Sequence, residues 1–561
     1  MMNPCDKCRV SVFAAERRFR RIVALLFASL LVAGILLYRD YGVSWDESAE
    51  RNSGIASALC ALNMLNGTPL SLTDVREVFG GDCYYGMGFQ HLLLAAEYLT
   101  HGGRINLSRQ ADGEAWYLRH LLTFVFVWCG LIALFFSGKL LWRRDTMAFV
   151  PVALFLLIPR FWAESFYNCK DMVMLASVMI AGYCLLRLMK YPRFGNALLF
   201  GVAAAFSASI RLPGGALFLA GAAAVMCTPR LGIGRRIALV GVSAAVAGAA
   251  LILFYPISWT APVTFFIESL NYMRSHPWNG GVLFFGREYT GSQVPWYYVP
   301  GWMAVTLPIP LMLLFFWGHW AIFRRRGSRF AAGGFFCRSR LLLIFFFWVL
   351  LAAVVVGCRT CYNGWRQFYF LAWPIVLVAA DGVDRLCDRR MPKAVVKTAK
   401  VLGIAWLACT VAWMVCVHPW QNLFFNLLAG DPNGRFELDY WQIADRDALR
   451  LIADSAAQRG KVVSVALNAI NDIAVTCLED RERERLRIVP QEDFCDCYIY
   501  HVPPQWRHEQ GGRPFEVRFP TGIRKMTEVN VRSSLFIHPV LVYRVYEFFA
   551  VKGEGAPGNG K

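Results

Sequence analysis

Acidic residues are scarce in this sequence, and several long stretches contain no charged residue at all. Only 17% of the 561 residues are charged, and 39 Asp and Glu stand against 58 Lys and Arg, a formal net charge of +19. The positive charges lie mostly in short clusters between apolar runs, as the positive-inside rule expects of membrane proteins. The chain shows no zinc-finger, helix-turn-helix or RNA-binding pattern and no evident internal repeat, so nucleic acid is not an expected partner.

Cysteine is present but gives no metal-binding or disulfide framework. The seventeen cysteines follow no repeating frame, and two C-x-x-C pairs stand out, Cys5 with Cys8 and Cys358 with Cys361. A zinc site would need two further ligands at suitable spacing. A disulfide between Cys358 and Cys361 and a spacing that arose by chance are both open. No cleavable signal peptide is evident, and the basic residues 17–21 before an apolar run indicate a retained signal anchor.

Hydrophobic residues make up 57% of the chain, and apolar runs of membrane-crossing length recur along it. The pattern predicts a mainly α fold. We expect a polytopic transmembrane helical bundle of about eleven spans, with amphipathic extracytoplasmic loop helices and a small C-terminal α/β extracytoplasmic domain. The predicted spans are residues 22–37, 118–137, 147–158, 171–188, two short spans within 196–227 broken near Arg211, 237–255, 296–323, 341–356, 368–383 and 401–417.

The basic clusters between spans set the expected orientation. They predict a cytoplasmic N-terminus, two large outward loops at 38–117 and 256–294, and an outward tail. A brief outward turn is expected at 160–170. Within the first large loop, residues 48–66 and 89–99 have helical apolar spacing and should lie along the membrane interface.

Two domains are predicted, 1–417 in the membrane and 418–561 outside it. The less apolar tail has helix periodicity at 445–459 and strand-like runs at 461–467, 487–489, 497–502 and 541–547. These runs predict a small α/β domain. The tail contains neither a Gly-rich phosphate loop nor a nucleophile elbow.

Two adjacent acids, Asp46 and Glu47, follow the first predicted span at headgroup depth. An acid there is costly unless it has a task or a partner. Adjacent side chains point in different directions on a helix or a strand, so the two acids cannot act as a pair on one atom. In the functional interpretation, one acid acts as a base and the other acts as a positioning group. The alternative is that one of them caps the following helix.

The order of four short motifs resembles the dolichyl-phosphate-mannose–protein mannosyltransferase family and its bacterial relatives, multi-span enzymes of the C-type glycosyltransferase superfamily. The motifs are the acid pair after span one, PRFWAESFYNCKD at 159–171, PWYYVP at 295–300, and HPWQNLFFN at 418–426 with FELDYW at 436–441. The resemblance covers about residues 20–445. Cys169 and Gln442 depart from the pattern, which concerns loop geometry and leaves the acids unchanged.

The resemblance implies an inverting glycosyltransferase that moves a sugar from a polyprenyl-phosphate donor to an acceptor on the extracytoplasmic face. Such chemistry needs a base near the acceptor and positive charge near the leaving phosphate. On this reading Asp46 is the base, Glu47 supports the acceptor or a basic partner, and Asp171 helps to organise the site. The alternative for Asp171 is a charge at a helix N-terminus. The acids leave open a divalent metal ion as cofactor, although the pattern does not require one.

Four basic residues are expected near the outer ends of spans, where the positive-inside rule does not place them: Arg119, Lys170, Arg211 and Arg366. Binding of the donor phosphate would explain them, and Lys170 and Arg211 are the first candidates. Contact with lipid headgroups or pairing with the acids is the alternative. His276, in the second outward loop, is a candidate contact for acceptor or sugar, although a loop histidine is more often solvated.

The sequence predicts an integral protein of the bacterial inner (plasma) membrane. Its expected partners are a polyprenyl-phosphate-linked sugar, membrane lipid, and an acceptor that is a protein, a glycan or a lipid. A lipid-linked sugar flippase or transporter is one rival. It would place ionisable residues in mid-span, whereas the predicted spans carry acids mainly at their ends. An envelope scaffold is the other rival, and it leaves the outward basic residues unexplained.

Overall fold

The computed structural model of the protein is mainly helical and describes residues 4–107, 111–142, 144–229, 231–274, 280–324, 334–357, 360–388, 390–467, 471–489, 496–500, 522–532 and 539–549. The helices are α1 (Pro4–Leu37), α2 (Trp45–Leu65), α3 (Leu72–Phe79), α4 (Gly88–Thr100), α5 (Gly113–Leu141), α6 (Asp145–Leu156), α7 (Pro159–Tyr167), α8 (Asp171–Lys190), α9 (Phe194–Ile210), α10 (Gly215–Met226), α11 (Ile233–Phe254), α12 (Pro262–Arg274), α13 (Tyr298–Thr306), α14 (Ile309–Arg324), α15 (Phe335–Gly357), α16 (Ala372–Leu386), α17 (Lys393–Cys416), α18 (Asp445–Gln458) and α19 (Asp480–Arg483).

Among the described residues, six helices are long and apolar enough to cross a membrane, and the number rises to eight if each of two bent helix pairs forms one span. The helices that qualify alone are α1 from Arg18 onward, α5, α8, α11, α15 and α17. The polytopic helical class is therefore supported. The finer prediction of about eleven spans is not confirmed, because several predicted spans are short or broken helices.

Two prolines explain where the spans break. The predicted span at 296–323 consists of α13 and α14, which meet at an angle of 115°. Leu307 between them is extended, because the residue before a proline, here Pro308, is disfavoured in helical conformation. The predicted outward turn at 160–170 was wrong in its first part, since α7 is helical from Pro159 and meets α6 at 75°. Proline at a first helical position favours a new helix start.

The loop helices appear where the apolar spacing predicts them. Helices α2 and α4 correspond to the predicted segments 48–66 and 89–99. Helices α9 and α10 flank a 3₁₀ turn at Leu212–Gly214, which is the break expected near Arg211. The position of α2 and α4 along a membrane interface stays a prediction.

Helix α8 forms the centre of the helical bundle. Of its apolar window 78% is buried inside the protein, against 6% for α17 and 11% for α11. A helix that is apolar all round and also enclosed belongs to the core of a bundle, whereas an apolar, exposed one is suited to lipid contact. The N-terminal end of α8 is the end that carries Lys170 and Asp171, so the most enclosed helix positions the candidate site.

The tail folds around a five-stranded sheet, as the strand-like runs predict. Its strands are β3 (Val463–Leu467), β4 (Leu486–Val489), β5 (Cys497–Tyr500), β6 (Gly522–Arg532) and β7 (Pro539–Phe549), after a separate hairpin of β1 (Gly281–Phe284) and β2 (Arg287–Thr290). The order is β4-β3-β5-β7-β6, parallel across β4-β3-β5 and antiparallel beyond. Strand β6 was missed by the sequence prediction, although the alternation of Val529 and Val531 with polar residues in its second half is a strand signal.

Helix α18 connects this tail to the C-terminal end of α1. Its Ala448, Leu449 and Ile452 pack with Val465 in one apolar cluster. On the other side, the buried guanidinium of Arg446 donates to the backbone carbonyls of residues 39, 40 and 41 at 2.6, 2.5 and 3.0 Å. The segment just before α18 therefore lies beside the acid pair that follows α1.

Candidate functional site

Five separate elements bring charged side chains together at one end of the helical bundle. Asp46 lies in the first turn of α2, Asp171 begins α8, Arg211 sits at the break after α9, Arg366 opens a 3₁₀ turn before α16, and Tyr440 lies just before α18. Asn168 fixes the start of α8, because its side-chain oxygen accepts the backbone N–H of Asp171 at 2.8 Å.

The centre of the site is the guanidinium of Arg366. Its Nη1 donates to Oδ2 of Asp46 at 2.8 Å and to Oδ2 of Asp171 at 3.2 Å. Arg211 pairs with the other oxygen of Asp171 at 2.6 Å. The side chain of Asp171 is fully buried, whereas that of Asp46 is 25% exposed. Of the two carboxylates, Asp46 is therefore the one that an incoming molecule can reach.

Tyr440 closes the site from the tail. Its hydroxyl accepts a hydrogen bond from Nη2 of Arg366 at 2.8 Å and donates to Oδ1 of Asp46 at 3.2 Å. Burial raises the pKa of Tyr440 well above its ordinary value, although the Arg366 charge opposes this. The hydroxyl thus stays protonated and orients both partners. Sequence reasoning missed this role, although Tyr440 lies within the FELDYW motif.

Lys170 forms a second ion pair beside the first. Its ammonium contacts the carboxylate of Glu50 and lies 3.9 Å from the ring centre of Tyr85. Glu50 was not predicted as a site residue, although it follows Asp46 by one helical turn on α2 and so shares its face. The three cations Arg366, Arg211 and Lys170 are thus matched by three carboxylates, and the cluster is formally neutral.

Glu47 has a different environment from Asp46, as adjacent positions require. It accepts the backbone N–H of Ser44 at 2.7 Å in a capping box and contacts Nε2 of His120 at 3.2 Å. The alternative of helix capping therefore describes the observed contacts of Glu47. The Ser44-x-x-Glu47 spacing is a capping-box signal that was available in the sequence.

One predicted residue is not brought into the cluster, and another falls outside the described part of the chain. Arg119 is fully buried on α5, and within the described part of the chain its hydrogen bond goes to Gln90 rather than to an acid. His276 lies outside the described residues, as does Cys358 of the C-x-x-C pair. Their predicted roles stay predictions.

The donor set does not fit a divalent metal ion. Among the described residues no group of three or more His, Cys, Asp or Glu side chains could hold one. Asp46 and Asp171 converge on the same Nη1 of Arg366, so a cation between them would face a guanidinium. Divalent cations such as Mg²⁺ and Ca²⁺ need several oxygen ligands and no nearby positive charge.

A small cavity of about 20 Å³ borders Arg366. Arg366 and Tyr440 line it together with Asn363, Asn422, Glu437 and Trp302. Burial raises the pKa of Glu437 to about 8, although Arg366 and the backbone N–H of Asn363 lower it in part. Glu437 is therefore mostly protonated at neutral pH.

No protein-family model and no curated protein matches the chain. Similar solved structures include ArnT from Cupriavidus metallidurans bound to undecaprenyl phosphate, with 13% identity and a TM-score of 0.48 over 84% of this chain and 86% of that one. The archaeal oligosaccharyltransferase AglB from Archaeoglobus fulgidus, in complex with an inhibitory peptide and a dolichol-phosphate, has 11% identity and a TM-score of 0.40 over 79% of this chain and 62% of that one.

The apo form of an Archaeoglobus fulgidus oligosaccharyltransferase shows 10% identity and a TM-score of 0.40 over 83% of this chain and 64% of that one. This chain thus spans a little less than two thirds of the two archaeal structures. Identities and TM-scores at this level do not assign the chain to a family, so its function is argued from its own residues.

Proposed function

We propose that the protein is an inverting membrane glycosyltransferase that moves a sugar from a polyprenyl-phosphate donor to an acceptor on the extracytoplasmic face of the membrane. The observation that carries this proposal is the convergence of Asp46, Asp171, Arg211 and Arg366 from four distant segments on one guanidinium-centred contact. Charge of this density at the end of apolar helices is costly and indicates a functional site.

The partly exposed position of Asp46 suits a general base. In the proposed step, the carboxylate of Asp46 takes the proton of an acceptor hydroxyl or amine as that atom attacks the anomeric carbon. The bond between the anomeric carbon and the phosphate oxygen breaks on the opposite side, which inverts the configuration. The phosphate leaves with the electron pair, and the polyprenyl phosphate is the second product.

The three cations suit the leaving phosphate. Arg366, Arg211 and Lys170 can stabilise the charge that develops on the phosphate oxygens. Asp171 is fully buried between two arginines, so we assign it as a positioning residue that holds Arg366 and Arg211 in place. Glu47 orders the first turn of α2 through its capping box, and Arg119 supports Gln90 beside the site.

A donor phosphate must compete with carboxylates for these cations, because each cation already has an acidic partner. Asp46 is the most exposed of those acids, so it is the one that an incoming phosphate would displace most easily from its cation. A carboxylate held by an arginine is a weaker base than a free one. Binding of the donor would therefore free Asp46 at the moment when the reaction needs it.

The tail belongs to the same catalytic unit in this proposal. Tyr440 lies within the region 418–561 and contacts both Arg366 and Asp46. We therefore propose that the boundary between 1–417 and 418–561 separates a membrane part from an extracytoplasmic α/β part, and that the junction completes the site. The N-terminus is proposed to be cytoplasmic, in the bacterial inner membrane.

The test is sugar transfer by purified Asp46→Asn in proteoliposomes with radiolabelled polyprenyl-phosphate sugars and an envelope extract as acceptor. Because a general base contributes about 10²–10⁴-fold, transfer should fall by at least 100-fold. Asp454→Asn, at an exposed position of α18, is the matched control and should keep wild-type transfer. Wild-type turnover by Asp46→Asn would refute the assignment of the base.

A further inference from the structure

The cavity beside Arg366 contains buried polar atoms that the proposed chemistry does not use. Among the described residues, both amide atoms of Asn363, Oε2 of Glu437, Oδ1 of Asn422, Nε of Arg366 and Nε1 of Trp302 have no hydrogen-bond partner. All five residues line the cavity, and each is more than nine-tenths buried. Such groups are rarely left unpaired, since a buried polar atom without a partner has lost its hydrogen bonds to water. The cavity is therefore built to receive a polar group.

The size of the cavity limits that group. A volume of about 20 Å³ is enough for a single water-sized molecule. A whole sugar ring does not fit, whereas one substituent of a ring does. The surrounding atoms include donors, such as Nε of Arg366, and acceptors, such as Oδ1 of Asn422. A hydroxyl group satisfies both kinds of partner, because it donates once and accepts twice.

The charges around the cavity are already compensated. Arg366 faces Asp46 and Asp171, and Arg160 interacts electrostatically with Glu164. Glu437 is mostly neutral at physiological pH, as described above. A charged ligand would gain no counter-ion here, so the cavity favours a neutral polar group.

The cavity is also close to the proposed phosphate position. Arg366 donates from Nη1 to the acids and is also one of the residues that line the cavity, so one planar guanidinium group borders both. The sugar that is transferred is bonded directly to the phosphate, so its substituents lie within one ring of that guanidinium. The acceptor, by contrast, is expected at the exposed carboxylate of Asp46.

We propose that the cavity binds one hydroxyl-bearing substituent of the glycosyl group of the donor, and that Asn363 and Glu437 select donors that carry it. This inference rests on the proposed function. A site that hydrogen-bonds a hydroxyl rejects the analogue lacking it strongly, because its own polar groups are then left unpaired. Asn363 has a φ of 56°, so Asn363→Gly removes the amide without imposing a strained backbone. Glu437→Leu keeps most of the side-chain volume but removes both carboxyl oxygens.

The experiment measures binding of undecaprenyl phosphate and of a panel of undecaprenyl-phosphate hexosides and pentosides to the full chain in nanodiscs. The wild type should bind at least one glycoside more tightly than the sugar-free lipid. Asn363→Gly and Glu437→Leu should each weaken binding of that glycoside by about 5- to 30-fold, and change binding of the sugar-free lipid by less than about 2-fold. Asn66→Gly, at the exposed end of α2, is the control.

Deoxy analogues of the preferred glycoside locate the hydroxyl. One deoxy donor should bind the wild type weakly. Neither substitution should change its affinity further, because the hydroxyl that the two side chains would bind is already absent. Unchanged glycoside affinity in both variants would show that the cavity holds only water, and equal weakening of both lipids would show a structural or phosphate role. Either result overturns this inference while the lipid-phosphate site stands. A wild type that binds neither lipid contradicts the proposed function itself.

Discussion

Nη1 of Arg366 lies 2.8 Å from Oδ2 of Asp46, although 320 positions separate the two residues along the chain. The pair joins the first turn of α2 to the 3₁₀ turn before α16. The same Nη1 also donates to Asp171, and Nη2 of the guanidinium donates to Tyr440. The relationship implies that the proposed base is held by a cation until another anion takes its place.

Competition between Asp46 and phosphate predicts an unusual effect of a catalytic substitution. Asp46→Asn removes the carboxylate that occupies Arg366, so its affinity for sugar-free undecaprenyl phosphate should rise by about 3- to 10-fold, as expected for loss of a partly exposed ion pair. Microscale thermophoresis of the protein in nanodiscs measures this affinity. Asp454→Asn should bind like the wild type. Equal or weaker binding by Asp46→Asn would mean that the carboxylate and the phosphate do not share Arg366.

The hydroxyl of Tyr440 should matter for turnover more than for folding. Tyr440→Phe removes the group that bonds Arg366 and Asp46 but keeps the ring, so kcat/KM should fall by about 10-fold while expression and membrane insertion are unchanged. Tyr98→Phe, at a half-exposed position on α4, provides the matched control. Full activity of Tyr440→Phe would show that the tail is not part of the catalytic unit.

Glu437 predicts a pH dependence of stability. Its pKa is raised from 4.5 to about 8, mainly by burial. Between those values the folded protein keeps a proton that the unfolded chain has lost. The contribution of Glu437 to the free energy of unfolding is therefore complete below about pH 4.5. Above that value it falls by up to about 1.4 kcal/mol for each pH unit, and it is lost above pH 8.

The measurement is the apparent Tm of the purified protein in detergent from pH 5 to pH 8. Wild-type Tm should decrease with pH more steeply than that of Glu437→Gln, which cannot titrate. Glu484→Gln, at an exposed position after α19, should follow the wild type. Parallel curves for wild type and Glu437→Gln would contradict a buried, protonated Glu437.

Much of the helical pattern was predictable because apolar runs and basic clusters are local signals. The starts and ends of α8, α11 and α18 agree with the predicted segments within a few residues. The bend between α13 and α14 was missed, since composition stays apolar through Pro308 and Pro310 and a hydropathy window does not detect a change of direction.

The candidate site was only partly predictable for a different physical reason. The topology predicted from the sequence placed Asp46, Asp171, Arg211 and Arg366 on one side of the membrane. The structure brings these four residues together. Tyr440 contacts Asp46 across 394 positions, and no local pattern encodes that contact. The capping role of Glu47, in contrast, was encoded locally by Ser44 three residues before it.

A structure of the full chain with undecaprenyl phosphate bound tests the central claim most directly. The account predicts that the phosphate lies in hydrogen-bond contact with Arg366 and with Lys170 or Arg211, and that the carboxylate of Asp46 has moved off Arg366 toward the open side of the site. A phosphate bound away from these three cations, or one bound there with the contact between Asp46 and Arg366 unchanged, would contradict it.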